Sequence, residues 1–423
     1  MTLEVSGTPS GNVQVPPSKS VAHRMLICAA LADKPCTIIC RGINRDMEAT
    51  AACLNALGAN ILYADGRFNV NPVGDIKKEA LLDCGESGST LRFLLPVAAA
   101  LGADAVFTGH GRLPERPLSP LYEEMTAHGI HMSGNGHMPL TCQGTLPAGT
   151  YTIDGGVSSQ FISGLLMALP ITGKESTIII TGKQESASYI GLTLNALKQF
   201  GIEVQATDKG YFIPGGQKYT TPDGPVAVEG DWSAAAFWLT AGAAGAKQIT
   251  CTGLDYEHSA QGDRRIADVL RQMGADISTA TNSITARPSK LTAAHIDCAD
   301  IPDLVPVMAV AAATAQGTTV FDNIRRLRIK ESDRVQSILE LLSGAGICAY
   351  ASDNTLTVTG GPARSFTYDP SGDHRMAMAA AILASVKNVR IIIKDAECTS
   401  KSYPAFFDEF NALGGNVEKF EKQ

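Results

Sequence analysis

The stretch ALGANI, residues 56–61, ends an amphipathic run on a glycine and then turns strand-like. A glycine just past a periodic apolar segment is the expected helix stop and αβ turn. The same signature returns as AHGIHM (127–132), QFGIEV (199–204), QMGADI (272–277), GAGICA (344–349) and ALGGNV (412–417). The turn glycines Gly58, Gly129, Gly201, Gly274, Gly346 and Gly414 are 71, 72, 73, 72 and 68 residues apart. A period held along the whole chain means six copies of one unit.

Each copy also holds a second, more apolar helix entered through a short polar element: SKSVAHR, GESGSTLR, GGVSSQF, EGDWSAAAF, IPDLVPV and GDHRMAM. The predicted unit is strand, buried helix, strand, amphipathic helix and a hairpin such as ANILYADGRFNVNP (59–72) or CAYASDNTLTVTG (348–360). The sixth copy is short: after Gly414 it offers only GNVEKFEKQ, while TLEVSGTPSG (2–11) resembles TLTVTGGPA (355–363). An unpaired sheet edge is a liability, so the N-terminal strand is expected to pair with the C-terminal one. Copies one to three then form a domain over 15–229, and copies four to six with residues 1–14 form a second over 230–423.

Composition agrees with a packed α/β protein. The 423 residues exceed one typical core, and 44% are hydrophobic but only 6% aromatic, with 41 glycines. A net charge of −7 argues against broad binding to nucleic acid or an anionic membrane, so any basic cluster acts locally on a small anion. There is no long clean apolar run, and MTLEVSGTPSG lacks the features of a leader, so a cytoplasmic enzyme is expected. The ten cysteines lack CxxC pairs and read as reduced, mostly structural thiols.

The helix entrances segregate by chemistry. In the first half they carry Ser18, Lys19, Ser20 and Arg24, then Ser87, Ser89, Thr90 and Arg92, then Ser158, Ser159 and Gln160; in the second they carry Glu229 and Asp231, then Asp303, then Asp373, His374 and Arg375. Backbone N–H groups at a helix start attract anions, and hydroxyls and cations there extend that capacity. Serine and aspartate are also ordinary N-caps, so it is the six convergent entrances together that point to a site. The amphipathic helices add Arg112 and Arg116, Ser186 and Tyr189, then Arg328, Lys330, Glu331 and Arg334, and finally Lys401. Arginine forks suit phosphate and carboxylate oxygens, so the ligands should carry more than one anionic group.

Taken in order, SKSVAHR, GESGSTLR, RLPERPL, GVSSQF, NIRRLRIKESDR, GDHRMAM and CTSKSYP resemble the 5-enolpyruvylshikimate-3-phosphate synthase family of enolpyruvyl transferases over essentially the whole chain. The resemblance implies an α/β, two-domain fold, an inside-out α/β barrel of six βαβαββ repeats, three per domain, with the active site between the domains. It implies transfer of the enolpyruvyl (1-carboxyvinyl) group of phosphoenolpyruvate to the 5-hydroxyl of shikimate 3-phosphate, with release of phosphate, in the shikimate pathway of aromatic amino acid biosynthesis. No metal or organic cofactor is implied, and a monomer is expected. By the same resemblance shikimate 3-phosphate meets Ser20, Arg24, Ser158, Ser159, Ser186, Tyr189 and Asp303, while phosphoenolpyruvate and phosphate meet Lys19, Gly88, Arg116, Gln160, Lys330, Arg334, Arg375 and Lys401. Glu331 is assigned to protonate and later deprotonate C3, Asp303 to take the hydroxyl proton and Lys19 to stabilise charge, with Asp303 and Lys19 open to exchange of the base role.

His23 stands where better-known members have asparagine, Glu86 where many have asparagine, and Phe93 where proline is common. The related transferase acting on a UDP-amino sugar pairs its lysine with asparagine and carries a loop cysteine, whereas here Lys19 precedes Ser20 and GHGRLPERPLSP has no cysteine. A non-catalytic phosphometabolite-binding protein could lose its acid and base, but Asp303 and Glu331 are both present.

Overall fold

The computed structural model describes residues 1–77 and 79–420. The chain forms two compact units, Met1–Pro16 with Glu229–Gln423, and Pro17–Val228. Among the described residues each unit contains three four-stranded sheets.

One complete copy shows the plan. Strand Glu79–Asp83 leads to helix Gly88–Leu101, strand Asp104–Thr108, helix Leu121–Ala127 and the strands His131–Met132 and Leu140–Gln143. The first two strands pair in parallel with Leu81 opposite Val106, and the last strand runs antiparallel to the second. A parallel pair requires a crossover, which the helix supplies. In the first copy's hairpin, Asp65 and Gly66 both adopt positive φ between Asn60–Ala64 and Arg67–Asn71, as a two-residue primed turn requires.

Three copies are completed from a distance. The N-terminal strand Leu3–Gly7 lies between Ile391–Ile393 and Gly415–Lys419, antiparallel to both, with Val5 opposite Val417. The first copy takes its first strand from Val226–Ala227, parallel to Cys36–Ile39, and the fourth takes Gly11–Gln14, parallel to Ile249–Thr252. Val15 donates to the Thr252 carbonyl and Asp231 to the Pro16 carbonyl, so residues 15, 16 and 229 belong with the second-half copies rather than the first.

Helices lie inside and sheets outside in each unit. The strands Glu79–Asp83 and Thr150–Asp154 alternate exposed and buried residues, whereas nine of the ten residues of Val305–Thr314 are buried. A helix apolar on every side belongs in a core, and a sheet with one polar face belongs at its boundary. Small residues permit close packing: a Cβ on Gly164 would lie 2.4 Å from the Arg92 carbonyl oxygen of the neighbouring buried helix. Around Trp238, the rings of Tyr403, Phe406 and Phe410 close the core of the unit holding the C-terminus. Each such side chain contributes about 1.5–3 kcal/mol by leaving water. Among the described residues no helix is long and apolar enough to cross a membrane.

A hydroxyl chain crosses the core of Pro17–Val228. The Thr90 hydroxyl donates to Ser87 Oγ at 2.8 Å, Thr50 and Thr90 hydroxyls lie 2.6 Å apart, and His23 Nδ1 is 2.7 Å from Thr50. With one proton per hydroxyl, donation runs from His23 through Thr50 and Thr90 to Ser87. Burial, outweighing the attraction of Asp46, lowers the His23 imidazole to about 3, so the ring is neutral in the folded state and charged in the unfolded one below about 6.5. The unfolded chain thus binds the extra proton, and stability present above that value is lost on acidification at up to about 1.4 kcal/mol per pH unit. His23→Asn, which keeps a donor for Thr50, should show a smaller fall in melting temperature than the wild type between pH 7.5 and 5.5; equal falls would assign the acid sensitivity elsewhere.

Candidate active site

In the unit Pro17–Val228 the predicted residues gather at the heads of three buried helices, Lys19–Leu31, Gly88–Leu101 and Ser159–Ala168, and at Ala187–Gln199. Ser87 caps the second by accepting from Thr90 N, and Ser158 the third by accepting from Gln160 N. The Gln160 side chain links them: its amide donates to Ser89 Oγ at 2.9 Å and its oxygen accepts from Arg92 at 2.7 Å. Arg92 also donates to the Pro117 carbonyl and lies over Phe161, which is a packing role.

The arginine side chains have different duties. Arg24 is buried and donates to Thr193 Oγ1 at 2.7 Å, to the Ser20 carbonyl at 2.6 Å and to the Tyr189 carbonyl at 2.9 Å, with its guanidinium 4.8 Å from the Phe93 ring centre. Its donors are largely committed to the backbone of two predicted ligands, so it orders Ser20 and Tyr189. Arg116 lies over the start of Gly88–Leu101, where a Cβ on Gly88 would come 2.7 Å from Arg116 Nη1. Glycine at this helix head keeps its N–H groups open beside a guanidinium, an arrangement suited to a bound anion. Glu86 lies against the 109–117 loop, with its carboxylate over Gly111.

Lys19 Nζ binds Asp46 Oδ2 at 2.8 Å. Asp46 sits in the first turn of Arg45–Leu57, where an acid reads in sequence as a favourable helix start, and nothing there marks it as the lysine's partner. Ser186 is buried in the left-handed region at φ 54° and ψ 43°, at the entrance to Ala187–Gln199, and its carbonyl accepts from Tyr189 N. Such a conformation costs a serine on the order of 1–2 kcal/mol, and strain of this kind concentrates at functional positions.

The unit holding the C-terminus gathers the acids and the remaining cations. Arg334, 1% exposed, donates to Asp303 at 2.7 Å, to Glu331 at 2.7 Å and through Nε to Asp373 at 2.8 Å. Arg375 donates to the other Asp303 oxygen at 3.1 Å, and Lys330 Nζ lies 3.4 Å from Asp303. Burial alone would raise Asp303, but Arg375, Lys330 and Arg334 together hold it well below the usual carboxylate range. Burial pushes the Lys330 ammonium down to about 8 against the pull of Asp303. Asp373 caps its helix by accepting from Arg375 N and also accepts from Ser332 Oγ at 3.1 Å. His374 is enclosed at the head of that helix, and Lys401 is buried at the end of Ala396–Lys401.

Asp303 and Glu331 thus sit on one guanidinium, one carboxylate held ionised and the other beside it. This arrangement can accept and return protons next to a surface that neutralises oxyanions. Asp263, in QGDRR, lies in the same unit and was not singled out by sequence, because a lone acid in a polar turn carries no periodic signal.

A sequence model described as EPSP synthase (3-phosphoshikimate 1-carboxyvinyltransferase) matches residues 4–410. The 3-phosphoshikimate 1-carboxyvinyltransferase of Clostridium kluyveri is 41% identical over 97% of this chain and 96% of its own, and that of Clostridioides difficile is 38% identical over 97% of each. The solved EPSP synthase of Acinetobacter baumannii superposes with a TM-score of 0.81 at 24% identity over 99% of this chain and 100% of its own. The enolpyruvyl transferase NikO of Streptomyces tendae gives 0.74 at 18% identity over 99% and 98%, so these two support the fold. Six four-stranded sheets, the order of the helix-head motifs and the full-length relatives lead to one conclusion: the chain belongs to the EPSP synthase (3-phosphoshikimate 1-carboxyvinyltransferase) family.

Proposed function

We propose that the residues at these helix heads carry out the family's reaction, transfer of the enolpyruvyl group of phosphoenolpyruvate to the 5-hydroxyl of shikimate 3-phosphate. The observation that carries this reading is the Asp303–Arg334–Glu331 cluster, two carboxylates ordered on one buried guanidinium beside Arg375 and Lys330. Asp303, kept ionised, takes the proton of the 5-hydroxyl as its oxygen adds to C2, while Glu331 delivers a proton to C3. In the tetrahedral adduct the C2–O bond to phosphate then breaks, the proton held by Asp303 passes to the leaving phosphate, Glu331 recovers a proton from C3, and the products are the enolpyruvyl ether and phosphate. Arg375, Lys330 and Lys401 stabilise the departing anion, with Lys19 and Arg116 from the other unit. Ser20, Ser158, Ser159, Ser186, Tyr189 and Gln160 hold the substrates, and Arg24 orders two of these residues.

The chemistry divides between two units joined by two chain crossings, so shikimate 3-phosphate binding is expected to draw them together. The same reading has the enzyme act as a cytoplasmic monomer without metal or organic cofactor, and has glyphosate compete with phosphoenolpyruvate.

Glu331→Gln preserves shape and removes the titrating group. It should bind shikimate 3-phosphate normally and lose about a hundredfold to ten-thousandfold in kcat; near-normal turnover removes Glu331 from the mechanism. Gly88→Ala places a methyl group against Arg116, so KM for phosphoenolpyruvate should rise and glyphosate inhibition weaken, and unchanged inhibition would mean that the anion lies elsewhere. By solution scattering, saturating shikimate 3-phosphate should reduce the radius of gyration. An unchanged radius would argue against closure.

A further inference from the structure

The turn Gly262–Arg265 is fastened to the head of helix Trp232–Ala244, because the Gln261 side chain donates to the Gly230 carbonyl at 2.8 Å and accepts from Trp232 N at 3.2 Å. This anchoring buries Asp263 to 2% exposure. Its Oδ2 accepts from the Ser233 hydroxyl, and its Oδ1 has no hydrogen-bond partner among the described residues. The turns Gly262–Arg265 and Pro302–Leu304, which carry Asp263 and Asp303, both pack on helix Trp232–Ala244. The charged groups that act on Asp263 are Asp303 and Asp231, of like sign, and Arg375, whose guanidinium donates to Asp303. A carboxylate here would therefore be stabilised by Arg375, already engaged with Asp303, and by a single hydroxyl, while it repels the proposed base.

We propose that Asp263 is a positioning residue for the reaction, a buried acid whose proton sets the charge beside Asp303 and hence the readiness of Asp303 to take the substrate's hydroxyl proton. The inference rests on the reading of Asp303 as the base. Burial, reinforced by repulsion from Asp303, moves the Asp263 carboxyl up to about 7, so it changes charge near neutrality. When it is protonated, Arg375, Lys330 and Arg334 act on Asp303 with little opposition and weaken it as a base. When it ionises, its charge opposes theirs, and Asp303 gains proton affinity. Asp263 exchanges its own proton with solvent, and the hydroxyl proton does not pass through it. Turnover should thus rise with pH through about 7.

The test is the pH profile of kcat under saturating shikimate 3-phosphate and phosphoenolpyruvate, for the wild type, Asp263→Asn and Ser233→Ala. Asp263→Asn should lose the rise near neutrality and fall about tenfold in kcat on the alkaline side, the effect of about one unit in Asp303, with KM for shikimate 3-phosphate unchanged. Ser233→Ala should move the rise to higher pH, because the Ser233 hydrogen bond favours the ionised Asp263. A merely structural Asp263 would alter melting temperature or KM and leave the rise in place. Both variants keeping the rise at the wild-type pH overturns the proposal, and if Asp263→Asn does not fold, Ser233→Ala decides alone. Full turnover by Asp303→Asn would instead remove the base on which the inference rests.

Discussion

A helix that is apolar on every side leaves a protein few places to put chemistry. Val305–Thr314 and His374–Lys387 are buried almost throughout, and the sheets that cover such helices alternate polar and apolar faces. Charged groups that must meet a ligand are then best placed at the helix ends, where backbone N–H groups already need partners. In this chain those ends hold Lys19, Gly88 and Ser159 in one unit and Asp303 and Arg375 in the other. In each unit the cluster is a consequence of how the core is built.

Burying ions at such ends is costly unless each finds a partner and further hydrogen bonds. Arg334 meets that condition with three carboxylates, Asp303, Glu331 and Asp373, and Asp373 in turn caps a helix and accepts from Ser332. Arg24 meets it with Thr193 and two backbone carbonyls, at the expense of its availability to a ligand. Two arginines drawn from equally basic motifs thus divide into one that holds the acids proposed for the reaction and one that holds backbone carbonyls and a hydroxyl. Lys19 follows the same rule through Asp46.

The six-fold pattern was legible because its marks are local. A helix stop needs a glycine such as Gly58 at φ 116°, and a buried helix needs an uninterrupted apolar run, so both survive in the sequence as a period. The pairing of Leu3–Gly7 with Gly415–Lys419 was legible too, because the last copy lacks a strand. The helix-head motifs marked Asp303, Glu331 and Arg334 as neighbours in chemistry. They could not say that the Arg334 guanidinium joins both acids and Asp373 as well.

What the sequence determined by itself is the repeat, the α/β class and the set of charged residues at the helix heads, since each follows from a few adjacent residues. What only the tertiary structure decided is which of those charges meet. The first copy takes its leading strand from Val226–Ala227 and the fourth from Gly11–Gln14, exchanges set by unfilled sheet edges far away in the chain. Asp46 faces Lys19, Asp263 faces Ser233, and Arg24 turns inward, because desolvation draws a buried polar side chain onto the hydrogen-bond partners within reach whatever their sequence distance. Sequence can supply the charges, but a low-dielectric core selects their partners by proximity.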